Sequence, residues 1–203
     1  MSRTKERILH IAIGLFNTEG TGPVSTNHIA DAAGISPGNL YYHYPNKAAI
    51  IRAIMDAMYT DWNAVWELPS DREPGLADLQ SKLHDNFELL WRYRFFYREA
   101  IALFQQDEEL KSRHIAMTKQ RFLEQGDFAK RFIAAGVLHS FRDDAHIEQT
   151  LTVCWMIAMN WLSFLEMNGV EINEQQFAKG VSLIETLLAP HMSHAKEDDE
   201  NGS

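Results

Sequence analysis

The sequence has a single cysteine, Cys154, which excludes an internal disulfide and fits a reducing compartment. Long hydrophobic runs are also scarce. The longest strongly apolar stretch, residues 151–165, is interrupted by Thr152, Asn160 and Ser163 and is shorter than the roughly twenty residues that a membrane span needs. The chain does not open with a signal-peptide pattern. We therefore expect a cytoplasmic protein that does not contact a membrane.

Positively charged residues are fewer than negatively charged ones, with 19 Lys or Arg against 28 Asp or Glu. The net charge of −9 excludes a generally basic, nucleic-acid-coating surface. The charge is unevenly distributed, because residues 1–60 contain five Lys or Arg against four Asp or Glu, whereas residues 61–203 contain fourteen against twenty-four. A near-neutral N-terminal segment on an acidic remainder keeps nonspecific nucleic-acid binding weak, so any such contact is expected through the N-terminal segment.

Sequence patterns typical of enzymes are missing as well. We find no glycine-rich phosphate loop and no local signature of a serine, histidine and acid set. His191 and His194 are three residues apart but border the acidic end of the chain, which is a poor setting for a metal site. Cys154 lies in an apolar helical pattern, where a thiol is inert. The sequence predicts no enzymatic activity, no cofactor and no metal.

Strand patterns are rare, and helical spacing of apolar residues recurs from end to end, so we predict an all-α fold. At 203 residues and 45% hydrophobic content, the chain can form one large domain or two modest ones. The segment 68–75, which contains two prolines and a glycine, interrupts the helical pattern. The predicted helices beyond the first three cover about 46–66, parts of 76–105 and 107–135 with breaks that the pattern does not place, 144–168 and 174–189.

Residues 25–47 have the layout of a helix-turn-helix. Ser25 can cap a first helix, and Gly34 can end it in the left-handed conformation that glycine adopts without steric cost. Ser36 can cap a second helix, which opens with a proline at its first position and ends before Pro45. Asn46 can then cap the next helix of the chain at once. Both ends of the second helix are therefore well specified.

The second of these helices has an unusual outer face. With Leu40 buried, a turn of 100° per residue directs Gly38 and Tyr42 outward, with Asn39 and Tyr41 at their sides. A glycine permits close approach to a duplex, an asparagine can pair with a base edge, and tyrosines can reach phosphates or thymine methyl groups. The alternative is a simple helical hairpin, but a hairpin is expected to expose small or charged residues at these positions. We favour DNA binding.

Residues 4–52 resemble the N-terminal domain of the TetR family of bacterial transcription regulators. The resemblance rests on the ordered motifs LFNTEG, IADAAGIS, GNLYYHY and the NK that opens helix four. It implies an N-terminal three-helix helix-turn-helix DNA-binding domain (1–48), a linking helix four (about 46–66), a larger helical ligand-binding and dimerisation domain (49–192), and a tail (193–203) that we expect to be disordered. By the same resemblance, the DNA contacts fall on Thr26, Ser36, Gly38, Asn39, Tyr41, Tyr42, His43 and Lys47.

Two positions depart from the family pattern. Several family members carry at position 37 a lysine that contacts a base, and proline cannot replace it, so Asn39, Tyr41 and groove shape are expected to carry more of the specificity. Tyr44 replaces the more usual phenylalanine and is expected in the core.

His43 lies only about 60° from Leu40 and could instead be half-buried within the domain. Lys47 opens a helix, where the macrodipole disfavours a cation, and a bound phosphate would explain it.

The middle of the chain is rich in aromatic residues, and the family resemblance implies a small-molecule effector there. We predict that the pocket is lined by Trp91, Phe95, Phe96, Phe104, Met117, Phe122, Trp155 and Met159. Aromatics and methionines at helical spacing can equally be plain core. Arg92, Arg94 and Arg98 interrupt the cluster and could hold an acidic ligand.

The predicted helix 144–168 is apolar nearly all round and therefore needs cover on two faces. The next helix, 174–189, can supply only part of that cover, so we predict a homodimer through both helices. Two DNA-binding domains about one helical turn apart imply a palindromic double-stranded operator. We thus expect a homodimeric repressor that a small, largely apolar ligand releases. The alternative is an architectural or cell-division regulator of the same fold, controlled by a protein partner.

Overall fold

The computed structural model describes residues 3–192, which fold into nine α-helices and a short 3-10 turn without a β-strand in that range. The predicted all-α fold is therefore confirmed. The predicted disordered tail, 193–203, lies outside the described residues. The helices are α1 (Arg3–Glu19), α2 (Thr26–Ala32), α3 (Pro37–His43), α4 (Lys47–Val65), α5 (Leu76–Arg92), α6 (Arg94–Gln106), α7 (Glu108–Ala134), α8 (Asp144–Met167) and α9 (Glu174–Leu188).

The helix-turn-helix forms as its local signals predicted. The Ser25 hydroxyl caps α2 by accepting from the His28 amide, and the following glycine, Gly34, has φ +61°. The Ser36 hydroxyl caps α3 in the same way, and α3 ends before Pro45. The Asn46 side chain accepts the Ala49 amide at 2.8 Å and opens α4. Short-range capping chemistry is sufficient to set these boundaries.

The body of the molecule, α5–α9, contains one break that the sequence pattern did not place. The chain leaves helical geometry at Tyr93, between α5 and α6, where the tyrosine hydroxyl donates to Asp61 Oδ2 at 2.8 Å. A contact from α4 thus fixes this corner. Asp107 then separates α6 from α7, and its carboxylate caps α7 at the Leu110 amide. The corner depends on a partner distant in sequence, which apolar periodicity does not reveal.

Two apolar clusters form the core. The first joins α1–α4 to the body through Leu89, Phe95, Phe96 and Leu103, so the N-terminal helices and the body share buried surface. The second lies among α5, α7, α8 and α9. In the second cluster, Gly180 lets α9 approach α5 so closely that an added Cβ would lie 2.3 Å from Phe87 Cε1. A division of the chain between residues 48 and 49 stays a prediction.

Polar contacts also tie the N-terminal helices to the body. The Asn17 amide bridges the α5–α6 corner, donating to the Arg92 carbonyl at 2.8 Å and accepting the Phe95 amide at 3.0 Å. The Glu99 carboxylate accepts the backbone amide and the hydroxyl of Thr21. These contacts join α1 and its following turn to α6, which gives the N-terminal helices a second attachment besides α4.

Helix α8 is only partly covered within one chain. It is 24 residues long and, by length and composition alone, apolar enough to cross a membrane, with only 17% of that stretch buried. The apolar part of this helix is therefore longer than the stretch 151–165 that was taken from the sequence. One side packs on α6, α7 and α9. The opposite side exposes large apolar residues at helical spacing, namely Val153, Met156, Phe164 and Met167.

Candidate DNA-binding surface and ligand cavity

Helix α3 presents the outer face that its helical wheel predicted. Leu40 is fully buried, whereas Tyr42 is 85% exposed and Tyr41 is 47% exposed. Gly38 and Asn39 are exposed as well, and a Cβ added at Gly38 would meet nothing within 4 Å. Tyr44, the departure from the family pattern, is buried as expected. The surface is therefore available to a duplex, and contact with DNA stays a prediction.

Several of the predicted contacts are held in place by one another. The hydroxyls of Thr26 and Tyr41 lie 2.9 Å apart and bridge α2 to α3. The Ser36 hydroxyl accepts the Asn39 amide at 3.2 Å, which fixes the first turn of α3. His43 is half-buried, and its ring meets that of Tyr42 edge-on at 5.1 Å. These contacts restrict the rotamers of the exposed face before any duplex arrives.

Lys47 has a structural role that the sequence did not reveal. Its Nζ donates to the carbonyls of Thr21 at 2.5 Å, Gly22 at 3.3 Å and Val24 at 2.9 Å, in the turn between α1 and α2. These three carbonyls account for a cation at the start of a helix without any phosphate. The unfavourable interaction of this cation with the helix macrodipole is therefore no sign of a phosphate contact at this position.

The body contains an apolar cavity between the last turn of α4 and helices α5, α7, α8 and α9. The cavity has a volume of about 70 Å³. With roughly 10–15 Å³ needed for one water centre, the cavity admits a compact molecule as it stands. Its walls are Trp62, Trp66, Leu79, Leu83, Asn86, Leu90, Gln125, Phe128, Ala129, Leu138, Phe141, Ile147, Thr150, Leu151, Cys154, Trp155, Ala158, Met159, Ile184 and Leu188.

Only Trp155 and Met159 of the predicted pocket residues line this cavity. Phe95 and Phe96 do not line it, because they are fully buried in the first core cluster. The other four predicted residues also lie outside the cavity wall. Phe104 and Met117 pack against that cluster, Trp91 packs on Phe177 with ring centroids 5.5 Å apart, and Phe122 lies edge-on behind Trp155 at 5.8 Å.

The three arginines of the aromatic segment do not line the cavity either. Arg92 pairs with Asp61 at 2.9 Å, and Arg98 pairs with Glu166 at 2.6 Å. The Arg94 guanidinium stacks 4.2 Å from the Trp91 ring centroid. They serve contacts between helices, and none of the side chains lining the cavity carries a formal charge. An acidic ligand held by these arginines is therefore not supported.

The polar groups of the cavity were missed by the sequence analysis. Asn86 is 6% exposed and accepts the indole N–H groups of Trp62 at 2.9 Å and Trp66 at 3.3 Å. Gln125 accepts the indole N–H of Trp155. A signal existed in the sequence, because Asn86 interrupts the apolar stripe of α5 formed by Leu79, Leu83 and Leu90. Burial raises the pKa of the Cys154 thiol to about 12, so this group stays protonated.

A buried pair of side chains, Tyr59 and His114, joins α4 to α7. The Tyr59 hydroxyl lies 2.7 Å from His114 Nδ1. Burial lowers the pKa of His114 to about 4, so the ring is neutral at physiological pH. Within residues 3–192, no cluster of three or more His, Cys, Asp or Glu side chains could hold a metal ion.

Comparison with known proteins agrees with this arrangement. Residues 8–54 match the profile of bacterial regulatory proteins of the tetR family, and residues 58–199 match that of a TetR bacterial transcriptional repressor. The chain is 27% identical over 201 residues to the transcriptional repressor KstR2 of Rhodococcus jostii, covering 94% of each chain. It is 34% identical over 84 residues to the regulator AcrR of Shigella flexneri, covering 41% of this chain and 33% of that protein.

A solved structure of a TetR-family transcriptional regulator from Marinobacter aquaeolei superposes with a TM-score of 0.83 at 29% identity, covering 95% of this chain and 92% of that one. The second profile alone spans more than half of the chain, and it covers the helices that enclose the cavity. TetR-family regulators are DNA-binding proteins of a class that is not generally enzymatic. With its helix-turn-helix, exposed α3 and apolar cavity, the chain belongs to the TetR family of bacterial transcription regulators.

Proposed function

We propose that this protein is a cytoplasmic, non-enzymatic repressor that binds a palindromic operator as a homodimer and is released by a small, largely apolar ligand. One observation carries the link between ligand and DNA. Trp62 and Trp66, at the end of α4, line the cavity, whereas Lys47, at its start, binds the turn between α1 and α2. A single helix of about 28 Å, at 1.5 Å per residue, thus connects the two sites.

The exposed face of α3 is the proposed DNA-binding surface. The major groove or its edge would hold Gly38, Asn39, Tyr41 and Tyr42. The sugar-phosphate backbone of the DNA would be contacted by Thr26, Ser36 and His43. The α1–α2 turn that Lys47 holds would support this surface without touching phosphate. Tyr42, which is 85% exposed, is the best position at which to test the assignment.

The ligand would act by favouring a conformation in which the two DNA-binding domains are wrongly spaced. A change at Trp62 or Trp66 displaces the end of α4, and the shared core with α6 transmits the displacement to α1. Each tenfold loss of operator affinity requires about 1.4 kcal/mol of preference of the ligand for the released state. An apolar cavity is less expected for the alternative, a regulator controlled by a protein partner, because such a regulator needs only a filled core.

Dimerisation would cover the exposed side of α8. Val153, Met156, Phe164 and Met167 lie on one stripe of the helix, and Leu183 of α9 is 42% exposed. Four large apolar side chains along one exposed stripe are the kind of surface that marks a protein interface. This is the apolar surface that makes α8 resemble a membrane span by composition.

The DNA-binding proposal is tested by selecting bound fragments from genomic DNA with the whole protein. We expect recovery of a palindromic site whose half-sites are about one helical turn apart. Tyr42→Ala should weaken binding to that site, whereas Leu123→Ala, at an exposed apolar position on α7, should not. Recovery of no common sequence would refute the proposal.

The dimer is tested by light scattering on the purified protein. The double variant Met156→Glu/Phe164→Glu places charges on the exposed side of α8 and should yield monomers. Leu123→Glu introduces the same charge at a position that is 67% exposed on α7 and should leave the dimer intact. A monomeric wild-type protein, or a double variant that stays dimeric, would contradict the proposed interface.

A further inference from the structure

The amide of Asn86 has an orientation that its neighbours dictate. Its Oδ1 lies 2.9 Å from Trp62 Nε1 and 3.3 Å from Trp66 Nε1. An indole N–H is a donor and never an acceptor, so the amide must direct its oxygen to the two tryptophans. Exchanging oxygen and nitrogen would place donors against donors. Chemistry alone therefore fixes which end of this side chain is the NH2 group.

The NH2 group of Asn86 has no hydrogen-bond partner among residues 3–192. Arg98 Nε is the one side-chain polar atom in that range that is fully enclosed without a partner, so Asn86 Nδ2 must border open space. The residue itself is 94% buried, being 6% exposed, and the apolar cavity is the space that it lines. The unpaired NH2 group is therefore assigned to the wall of this cavity. An unpaired buried donor is destabilising, so an acceptor placed there would be bound favourably.

Other polar groups of the cavity wall cannot provide an equivalent anchor. The Thr150 hydroxyl donates to the His146 carbonyl at 2.8 Å. Gln125 is oriented by Trp155 as Asn86 is by its tryptophans, but it also lines an open surface groove, so it does not belong to the cavity alone. No lining side chain is charged, so a charged ligand would lose its hydration without gaining a counter-ion.

We propose that the ligand of this cavity is a neutral, compact, mainly apolar molecule whose acceptor oxygen, of the carbonyl type, binds the NH2 group of Asn86. The proposal rests on the proposed function, in which this cavity is the effector site. A ligand bound in this way also acts directly on α4. The amide that binds the acceptor is the one whose oxygen holds Trp62 and Trp66, so the ligand acts on the group that fixes the last turn of α4.

A pair of isosteric probes tests this inference. Cyclohexanone and methylenecyclohexane share a six-membered ring and differ in an oxygen that replaces a CH2 group. Dissociation constants are measured by NMR titration of the whole protein up to the solubility of each probe. In a purely apolar cavity, the ketone is penalised for its lost hydration, and a hydrogen bond from Asn86 offsets that penalty. We therefore compare the preference for ketone over alkene between protein variants.

Asn86→Leu should reduce the preference for the ketone about tenfold. Thr150→Val, which removes a polar group elsewhere in the wall, should change it less than twofold. Because Asn86→Leu also deprives two indoles of their acceptor, a second measurement uses the wild-type protein. The side-chain amide protons of Asn86 should shift to lower field with cyclohexanone and not with methylenecyclohexane.

An unchanged preference in Asn86→Leu, or amide protons that respond equally to both probes, would overturn this inference and leave the cavity as an effector site. Tighter binding of cyclohexanecarboxylate than of cyclohexanone would overturn the requirement for neutrality. Binding of neither probe would overturn the inference together with the effector role of the cavity. DNA binding is measured separately by fragment selection, so its failure is distinguishable from each of these results.

Discussion

Replacing Gly38 by alanine separates DNA contact from folding. The glycine lies in the first turn of α3, on the exposed face, and an added Cβ would have no neighbour within 4 Å. In the free protein, the methyl group therefore meets only solvent. Alanine is a better helix former than glycine by up to about 1 kcal/mol, so the variant should be at least as stable as the wild type.

Loss of affinity is expected because the methyl group would occupy space that the duplex needs. A loss of about 1.4 kcal/mol at each half-site corresponds to tenfold weaker binding. A dimer contains the substitution twice, so the two losses together predict operator binding weakened on the order of a hundredfold. Stability and affinity should therefore change in opposite directions, which a folding defect cannot produce.

The assay is fluorescence anisotropy on the duplex recovered by fragment selection, with thermal unfolding measured in parallel. Gly126→Ala is the matched control, because Gly126 lies in α7 and an added Cβ there also meets nothing within 4 Å. It should preserve operator affinity while gaining similar stability. If Gly38→Ala binds the operator within twofold of wild type, α3 does not approach the duplex at this residue, and the proposed docking face is wrong.

Three further predictions follow from the same structure. Asn39→Ala should relax sequence preference more than it lowers affinity, measured by repeating the selection with the variant; an unchanged consensus would contradict base contact. Lys47→Met should lower the free energy of unfolding by about 1–3 kcal/mol, because three carbonyls lose their donor. It should leave the salt dependence of operator binding unchanged. A salt slope reduced by about one would instead show that Lys47 contacts a phosphate. Burial lowers the pKa of His114 from 6.5 to about 4, so between these values the unfolded chain binds more protons than the folded chain. Stability should therefore fall as the pH is lowered from 6.5 to 4, by up to about 1.4 kcal/mol per pH unit. The free energy of unfolding of His114→Gln, measured in urea at several pH values, should depend less steeply on pH, and a dependence equal to that of the wild type would refute the assignment.

The N-terminal helices were predictable because their signals are local. Ser25, Gly34, Ser36 and Asn46 act within a few residues of themselves, through a cap or a left-handed turn, and each occupies its predicted place. The exposed side of α3 followed from helical periodicity once Leu40 was buried. Such features need no knowledge of the rest of the chain.

The lining of the cavity was not predictable in the same way. Aromatic residues in one segment do not have to share one cavity, because successive positions on α6 face different neighbours. Phe95 packs on Phe16 of α1, whereas the Phe96 ring lies 5.5 Å from that of His114 in α7. The cavity is instead reached from α4 by Trp62 and Trp66. Asn86 was visible as a polar residue within an apolar stripe, but its role depends on two tryptophans that lie 24 and 20 residues before it in the chain.

By itself, the sequence determined the helical class, the limits of the helix-turn-helix, the outward face of α3 and an apolar excess on α8. These depend on caps, turns and periodicity, which operate over a few residues. The tertiary structure alone decided which side chains enclose the cavity, that Lys47 is held by backbone carbonyls, and that Asn86 joins the cavity to the end of α4. Each of these depends on atoms from distant segments, and only the packing of helices brings such atoms within bonding distance.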